Sequence, residues 1–184
     1  MTDLIRDIEP WFADGLFVSP SAIHGRGLHT TQPLNRGIAV LRFGGWLYNV
    51  AERRSAAVLP STTTPVSEGV ILAEPSEGEK DLSDYLNHSC APNVGFRDAL
   101  SVVAIADIPK DGELVIDYAF WECDAKWQLK TPCNCGSRDC RSTVTGDDWK
   151  RIPPTDPTFP YFSPFLKRRI LAFRNNQEKD HAEE

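Results

Sequence analysis

The chain has 184 residues, 41% of them hydrophobic, and a formal net charge of -6. That length and composition suit one globular domain with a small appendage and exclude a disordered chain, and no apolar run approaches the roughly 20 residues of a membrane span, which predicts a soluble protein with no membrane partner. The acidic balance disfavours direct binding to nucleic acid and fits a basic protein or peptide partner better.

In chain order, Met1 to Pro10 carries no basic segment followed by an apolar one, so no export signal is read there. Residues 1–13 read as an N-terminal leader, and the expected location is intracellular, cytoplasmic or, in a eukaryote, nuclear. Leu16 to Ser19 reads as a strand, Pro20 to Gly27 as a turn, and Leu28 to Thr31 as a second strand. Ile38 to Tyr48 is rich in β-formers but broken by Gly44-Gly45, which predicts a bulge or a close backbone approach. Ala51 to Leu59 reads as a short helix, Ser61 to Pro65 as a breaker, Gly69 to Ala73 as a strand and Glu74 to Lys80 as a polar loop. Asp81 to Leu86 reads as a helical turn. Val94 to Arg97, Leu100 to Ile108 and Glu113 to Phe120 read as strands, with a turn at Asp111-Gly112. After Pro132 comes a compact cysteine-bearing segment. Pro153 to Pro164 is expected to be extended, Phe165 to Arg174 to form an amphipathic helix, and Asn175 to Glu184 to fray. The class read from this order is mainly β, built of small sheets, with one C-terminal helix.

The stretch Asn87-His88-Ser89-Cys90-Ala91-Pro92-Asn93 stands apart. It gathers two amides, an imidazole, a hydroxyl and a thiol at a turn, and buried polar groups of that density are costly unless they serve a site. Asn-His-Ser also fits a glycosylation acceptor, which matters only in a secreted chain. The five cysteines are odd in number and, without an export signal, expected to be reduced, which favours metal or a free thiol over a disulfide. Cys133-x-Cys135-x4-Cys140 supplies three thiolates, one short of the four that a structural zinc ion takes. Cys90 is the leading fourth ligand, with Cys123 and a histidine as competitors. If it is Cys90, the ion staples the cysteine segment to the central stretch. Gly25-Arg26-Gly27 by itself reads as a tight turn, and Gly112 to Tyr118 as a half-buried strand ending on a tyrosine.

Taken together, Gly-x-Gly, Asn-His-Ser-Cys-x-Pro-Asn, Gly-Glu-Leu-x-x-Asp-Tyr and Cys-x-Cys-x4-Cys, in that order from about Leu16 to Val144, resemble the SET-domain protein lysine methyltransferases with their post-SET cysteine tail. The resemblance implies a fold of small sheets with a threaded C-terminal pseudoknot, S-adenosylmethionine as cofactor, and a protein or peptide substrate carrying an accessible lysine. It implies a catalytic domain over 14–122, a zinc-binding segment over 123–146 and a C-terminal extension with an amphipathic helix over 147–184. Carried over, Tyr118 is the catalytic tyrosine. Arg26 and Gly27 contact the cofactor through backbone, with Asn87 and His88 holding it by hydrogen bonds. Cys90, Cys133, Cys135 and Cys140 hold one structural zinc ion.

Three positions depart from the family's pattern. Ile116 replaces an aromatic residue two positions before the tyrosine, Phe43 replaces a frequent tyrosine of the lysine channel, and Asp84 stands where many relatives carry arginine. The first two remove hydroxyls from the channel and predict room for more than one methyl group. No cysteine-rich region or reader domain accompanies the motifs, so action on histones does not follow from the resemblance, and oligomeric state is not legible. Two alternatives stand beside the enzyme: a catalytically inactive SET-fold interaction module stapled by zinc, and a β-fold that binds a small molecule.

Overall fold

The structure is a computed structural model that describes residues 8–49, 63–73 and 80–182. The expected helix Ala51 to Leu59 and nearly all of the loop Glu74 to Lys80 lie outside the described residues. Eleven short strands are described: β1 Trp11–Phe12, β2 Leu16–Pro20, β3 Arg26–Thr30, β4 Ala39–Arg42, β5 Trp46–Asn49, β6 Thr64–Ser67, β7 Val70–Ala73, β8 Asn87–His88, β9 Val94–Phe96, β10 Ser101–Ala104 and β11 Glu113–Ile116. One α-helix follows, α1, over Pro164–Ala182. The strands form three sheets, in the orders β1-β4-β10-β9, β2-β3-β11-β8 and β5-β7-β6. Among the described residues this is the mainly β class, with a helix at the C-terminal end, that the sequence predicts. Among the described residues no helix is long and apolar enough to cross a membrane.

Every described strand pairing is antiparallel except that of β8 with β11. Parallel neighbours cannot be joined by a hairpin. Here the connection leaves the second sheet after β8, builds β9 and β10 of the first sheet, and returns as β11. Val115 then lies opposite Asn87, and Ile116 opposite His88. The inward residues of the first two sheets meet in one core that includes Leu28, Val40, Leu41, Val94, Phe96, Leu114 and Ile116. The C-terminal extension joins it through Trp149, Phe162, Phe165, Leu166 and Ile170, so it is packed on the sheets rather than appended to them.

Several elements differ from the sequence reading. The run Ile38 to Tyr48 divides into β4 and β5, which belong to different sheets. The break is the close approach expected at Gly44: a Cβ there would meet the backbone of Pro10 and Ile8, so only glycine lets the chain before β1 lie against it. Trp11–Phe12 was not read as a strand; it is a two-residue edge piece on β4. The supposed breaker at Pro65 lies within β6, which is an edge strand where proline's missing N–H is tolerated. β10 ends at Ala104, and the last part of that run only bridges Ile108 to Leu34.

β11 stops at Ile116 rather than running to Phe120. The Asp117 carboxylate accepts the Ala119 N–H at 2.9 Å and turns the chain into a single 3-10 turn, Tyr118–Phe120. Pro153 to Pro164 is not extended: Asp156 accepts from both the N–H and the hydroxyl of Thr158 at 2.8 and 2.6 Å, and successive turns lead into a 3-10 turn at Phe159–Tyr161. The helix does not fray at Asn175. Arg174 donates to the Lys150 carbonyl at 2.7 Å and to Gln177 at 3.2 Å, and good helix formers carry it on to Ala182.

Phe162 is the extension's anchor. It is fully buried, with its ring centroid 4.7 Å from that of Phe120. Replacing Phe162 with alanine is expected to cost about 3–5 kcal/mol of unfolding free energy, measured by urea denaturation. A loss under about 1 kcal/mol would mean that the extension is not part of the cooperative core.

Candidate active site and metal centre

The β8–β11 pairing is reinforced by side chains that imitate backbone. Asn93 donates its amide N–H to the Glu113 carbonyl at 2.7 Å and accepts the Val115 N–H at 2.8 Å. The Ser89 N–H reaches the Ile116 carbonyl at 3.0 Å. The central stretch is thereby bonded along the whole of β11, and its polar groups are satisfied although Asn87, His88 and Ser89 are buried.

Glu113 was missed by the sequence reading, where it was one letter of a strand. Its carboxylate accepts from the Ser21 hydroxyl at 2.9 Å through both oxygens and from Asn87 Nδ2 at 2.8 Å. Asn87 Nδ2 also lies 3.1 Å from the carbonyls of His24 and Arg26. One carboxylate and one amide therefore hold the whole turn from Ser21 to Gly27. Gly27 lies against the Glu113 side chain so closely that a Cβ would collide with the carboxylate, and this is why the second glycine of the Gly-x-Gly pair is required. Arg26 is exposed, its guanidinium 5.2 Å from the centre of the Tyr85 ring. Asp84, the departure from the family pattern, accepts the Asp81 N–H at 3.0 Å and closes a capping box that an arginine cannot make.

Tyr118 sits immediately beyond β11. Its hydroxyl donates to the Leu86 carbonyl at 3.1 Å, and burial pushes its pKa up to about 12. The rings of Trp121, His88 and Trp127 surround it at centroid distances of 5.0, 5.2 and 5.9 Å. Neither tryptophan was singled out in the sequence, because a lone aromatic after a strand carries no signal of its own. Phe43 stacks on Phe96 at 5.8 Å, and Phe96 meets Trp121 at 5.7 Å, so Phe43 lies on an aromatic chain that ends at Tyr118. Ile116, by contrast, is completely buried in the core.

His88 faces two ways. The Tyr118 N–H donates to its Nδ1 at 3.2 Å, and its Nε2 lies 3.4 Å from Cys90 Sγ. Burial lowers its pKa to about 4, against the pull of Asp117, so the ring is neutral near pH 7. An Nδ1 that accepts leaves the proton on Nε2, directed at the sulfur.

The sulfurs of Cys90, Cys133, Cys135 and Cys140 all lie within 4.8 Å of one another. Of the candidates for a fourth ligand, Cys90 is the one that joins this group; Cys123 lies apart against the hydrophobic core. Four thiolates in so small a volume fit a tetrahedral soft ion with metal–sulfur bonds of about 2.3 Å. The Arg141 N–H approaches Cys90 Sγ, and the Ser142 N–H approaches Cys140 Sγ, each at 3.4 Å, as suits sulfurs that carry negative charge. Burial pushes the Cys90 thiol up to about 11 and Cys133 up as well. Cys135 is also disfavoured by burial, but backbone N–H groups of Cys90 and Ser137 and the neighbouring thiols bring it down to about 6.

Between the Ser21–Gly27 turn and the cysteine loop lies a cleft. Ile23, His24, Asn87, His88 and Tyr118 form one side, and Leu129 with Thr131 to Asn134 the other. The cysteine loop thus makes a wall of the cleft, and Asn134 Nδ2 lies 3.4 Å from the Ala22 carbonyl across it. Of the residues the sequence singled out, Asn87, His88, Tyr118 and Cys133 line this cleft, Gly27 lies in the turn that bounds it, and Cys90, Cys135 and Cys140 lie with Cys133 in the thiol group behind its wall. Arg26 is at its rim.

Residues 25–119 match the SET domain profile, 95 of the chain's 184 positions. The chain is 30% identical over 151 residues to histone-lysine N-methyltransferase 2D of Homo sapiens and of Mus musculus, covering 74% of this chain and 3% of those proteins. It is 28% identical over 138 residues to an H3 lysine-4 specific histone-lysine N-methyltransferase of Aspergillus oryzae, covering 66% of this chain and 11% of that protein. Among solved structures, KRYPTONITE in complex with mCHG DNA and SAH superposes with a TM-score of 0.55 at 20% identity, over 70% of this chain and 28% of that one. The chain belongs to the SET-domain family. It spans only a small part of the length of these curated relatives.

Two measurements check the site. Elemental analysis of the purified protein should find one zinc ion per chain, and Cys90→Ser should lower that content severalfold; retention of full zinc by the variant would remove Cys90 from the ligand set. In a spectrophotometric titration, one of the four tyrosines should ionise last, near pH 12. Because the unfolded chain releases this proton first, near pH 10, the fold should lose stability as pH rises from about 10 through 12. A Tyr118→Phe variant should not show that loss.

Proposed function

We propose that the chain is a protein-lysine N-methyltransferase that uses S-adenosylmethionine and one structural zinc ion, with residues 14–122 as the catalytic unit, 123–146 as the zinc segment and 147–184 as a packed extension. The observation that carries this reading is Tyr118. Its hydroxyl is anchored where the cleft meets the rings of Trp121 and Trp127, and the chain belongs to a family whose relatives bear the name histone-lysine N-methyltransferase.

The cleft's lining mixes apolar side chains (Ile23, Leu129, Pro132) with hydrogen-bonding ones (His24, Asn87, Asn134), the kind of surface that a nucleoside-bearing cofactor takes. Asn87 spends its amide protons on the turn and on Glu113, so on this reading it holds His24 to Gly27 in shape and meets the cofactor through backbone, beside Arg26, Gly27 and the backbone of His88. S-adenosylmethionine supplies a methyl group on a positively charged sulfur. The lysine amine attacks only when neutral, and with a solution pKa near 10.4 it is under roughly 1% neutral at pH 7. Trp121, Trp127 and Phe43 exclude water around the amine and so lower its pKa, and the released proton leaves to solvent before transfer. Tyr118 commits its own proton to Leu86, which leaves the oxygen's lone pairs to receive an amine N–H and align nitrogen with the methyl carbon. A carbon–nitrogen bond then forms as the carbon–sulfur bond breaks. With its pKa raised, Tyr118 orients and does not act as a base.

Phe43 and Ile116 bring no hydroxyl to the channel, and the aromatic faces around Tyr118 attract methylated ammonium groups. The reading therefore extends to products carrying two or three methyl groups. The relatives' names make histone-tail peptides the first substrates to try.

Calorimetric titration of zinc-loaded protein with S-adenosylmethionine should show one binding site. Tyr118→Phe should bind the cofactor as wild type does while kcat falls about 100-fold or more. Absence of binding with zinc in place would overturn the proposal. Mass spectra that stop at monomethyl-lysine at exhaustion would overturn the reading of Phe43 and Ile116.

A further inference from the structure

Arg141 directly follows the cysteine ligand Cys140, yet its side chain turns away from the metal centre into the protein. Its guanidinium grips the Asp117 carboxylate in a two-pronged bond, Nη1 to Oδ2 at 2.8 Å and Nη2 to Oδ1 at 2.5 Å, and its Nε lies 3.1 Å from Asp148 Oδ2. These are interior groups: 17% of the Arg141 side chain is exposed, 5% of Asp117 and none of Asp148.

Asp117 is the residue before Tyr118, and the same Oδ1 that receives Nη2 also accepts the Ala119 N–H that starts the Tyr118–Phe120 turn. The conformation of Tyr118's turn is thus set by a carboxylate whose own orientation is set by a residue of the cysteine loop. Arg141's backbone N–H points at the same time to Cys90 Sγ. A parallel route runs through His88, from Cys90 Sγ to the Tyr118 N–H. We propose that Arg141 is a positioning residue that couples the order of the cysteine loop to the placement of the Tyr118 hydroxyl, with Asp117 as the intermediate.

The geometry separates this role from general support. Asp148 has other partners: it accepts the Thr145 hydroxyl at 3.0 Å and lies 3.8 Å from Arg151 Nη1. Of the groups beside Asp117, Arg141 is the one that makes two parallel bonds to the carboxylate, while His88 Nδ1 stays 3.7 Å from Oδ1. A lysine at 141 keeps one positive charge for the two acids but cannot hold a carboxylate by two parallel bonds while touching a second. Arg141→Lys therefore removes the orientation of Asp117 while leaving the charge count unchanged.

The proposal rests on the reading of Tyr118 as the catalytic tyrosine and of the four cysteines as a zinc site. The test uses the full zinc-loaded chain and the variants Arg141→Lys and Asp117→Asn. Both should keep one zinc per chain. After cobalt exchange they should keep the thiolate-to-cobalt absorption, and they should bind S-adenosylmethionine within about twofold of wild type. Amide hydrogen exchange in a peptide covering Asp117 to Trp121 should rise about tenfold, exchange in β2 and β3 should be unchanged, and kcat should fall about 10- to 100-fold with little change in the cofactor's KM. Wild-type exchange at Asp117 to Trp121 in both variants would overturn the proposal. So would loss of zinc or of the cobalt spectrum together with the raised exchange, because Arg141 would then only be building the metal loop. The exchange arm needs no turnover: a wild type that binds cofactor and transfers nothing overturns the function, and exchange still decides the coupling.

Discussion

The parallel pairing of Asn87–His88 with Val115–Ile116 is the constraint on which the rest of the molecule depends. A parallel pair needs a long connection, and here that connection is spent on β9 and β10, which close the first sheet. The pairing brings a stretch dense in polar groups against the end of a strand buried in the core. Those groups would be costly there if unpaired, and Asn93, Ser89 and Glu113 pair them by taking over the part of backbone. Once β11 is held on this line, its continuation past Asp117 can only emerge beside His88 and the cleft. Strand pairing thus brings Tyr118 to the cleft, and the Asp117 cap and the bond from its hydroxyl to Leu86 then fix it there.

The site is knitted by groups that each serve two neighbours. Glu113 fixes the Ser21–Gly27 turn through Ser21 and Asn87 while its backbone belongs to β11. His88, neutral in the interior, accepts from the Tyr118 backbone and faces the Cys90 sulfur. Asp117 caps the Tyr118 turn and receives Arg141 from the cysteine loop. In a low-dielectric interior such shared bonds are costly to break singly, because each loss strands a partner. This is the physical reason that the cleft, the tyrosine and the four grouped cysteines form one unit although they come from four separate parts of the chain.

Much of this was legible in the residues. The density of polar groups at Asn87 to Asn93 marked a stretch that the structure lays along the cleft, the spacing of Cys133, Cys135 and Cys140 marked three of the four grouped thiols, and the glycine interruption at Gly44 marked a close approach that the structure shows against Pro10 and Ile8. What could not be read were partnerships between distant residues. Glu113 looked like any strand residue because its partners, Ser21 and Asn87, are 92 and 26 positions away. Trp127 and Arg141 gave no periodic or motif signal. The end of β11 was misplaced because a single capping side chain overrode the β-propensity of the residues after it. Pro65 was misread because propensity does not say whether a strand lies at an edge.

By itself, the sequence determined the kinds of chemistry present and the class of fold: thiolates enough for one metal ion, a tyrosine at the end of a strand, short β runs and a helix whose apolar residues recur on one side. These follow from composition, local propensity and spacing, which are properties of neighbouring residues. Tertiary structure alone decided that Cys90 and not Cys123 completes the thiolate group, that Arg141 reaches Asp117, and that the aromatic residues surrounding Tyr118 are Trp121 and Trp127. Those outcomes depend on which distant segments the burial of one shared core forces together, and no local pattern carries that information.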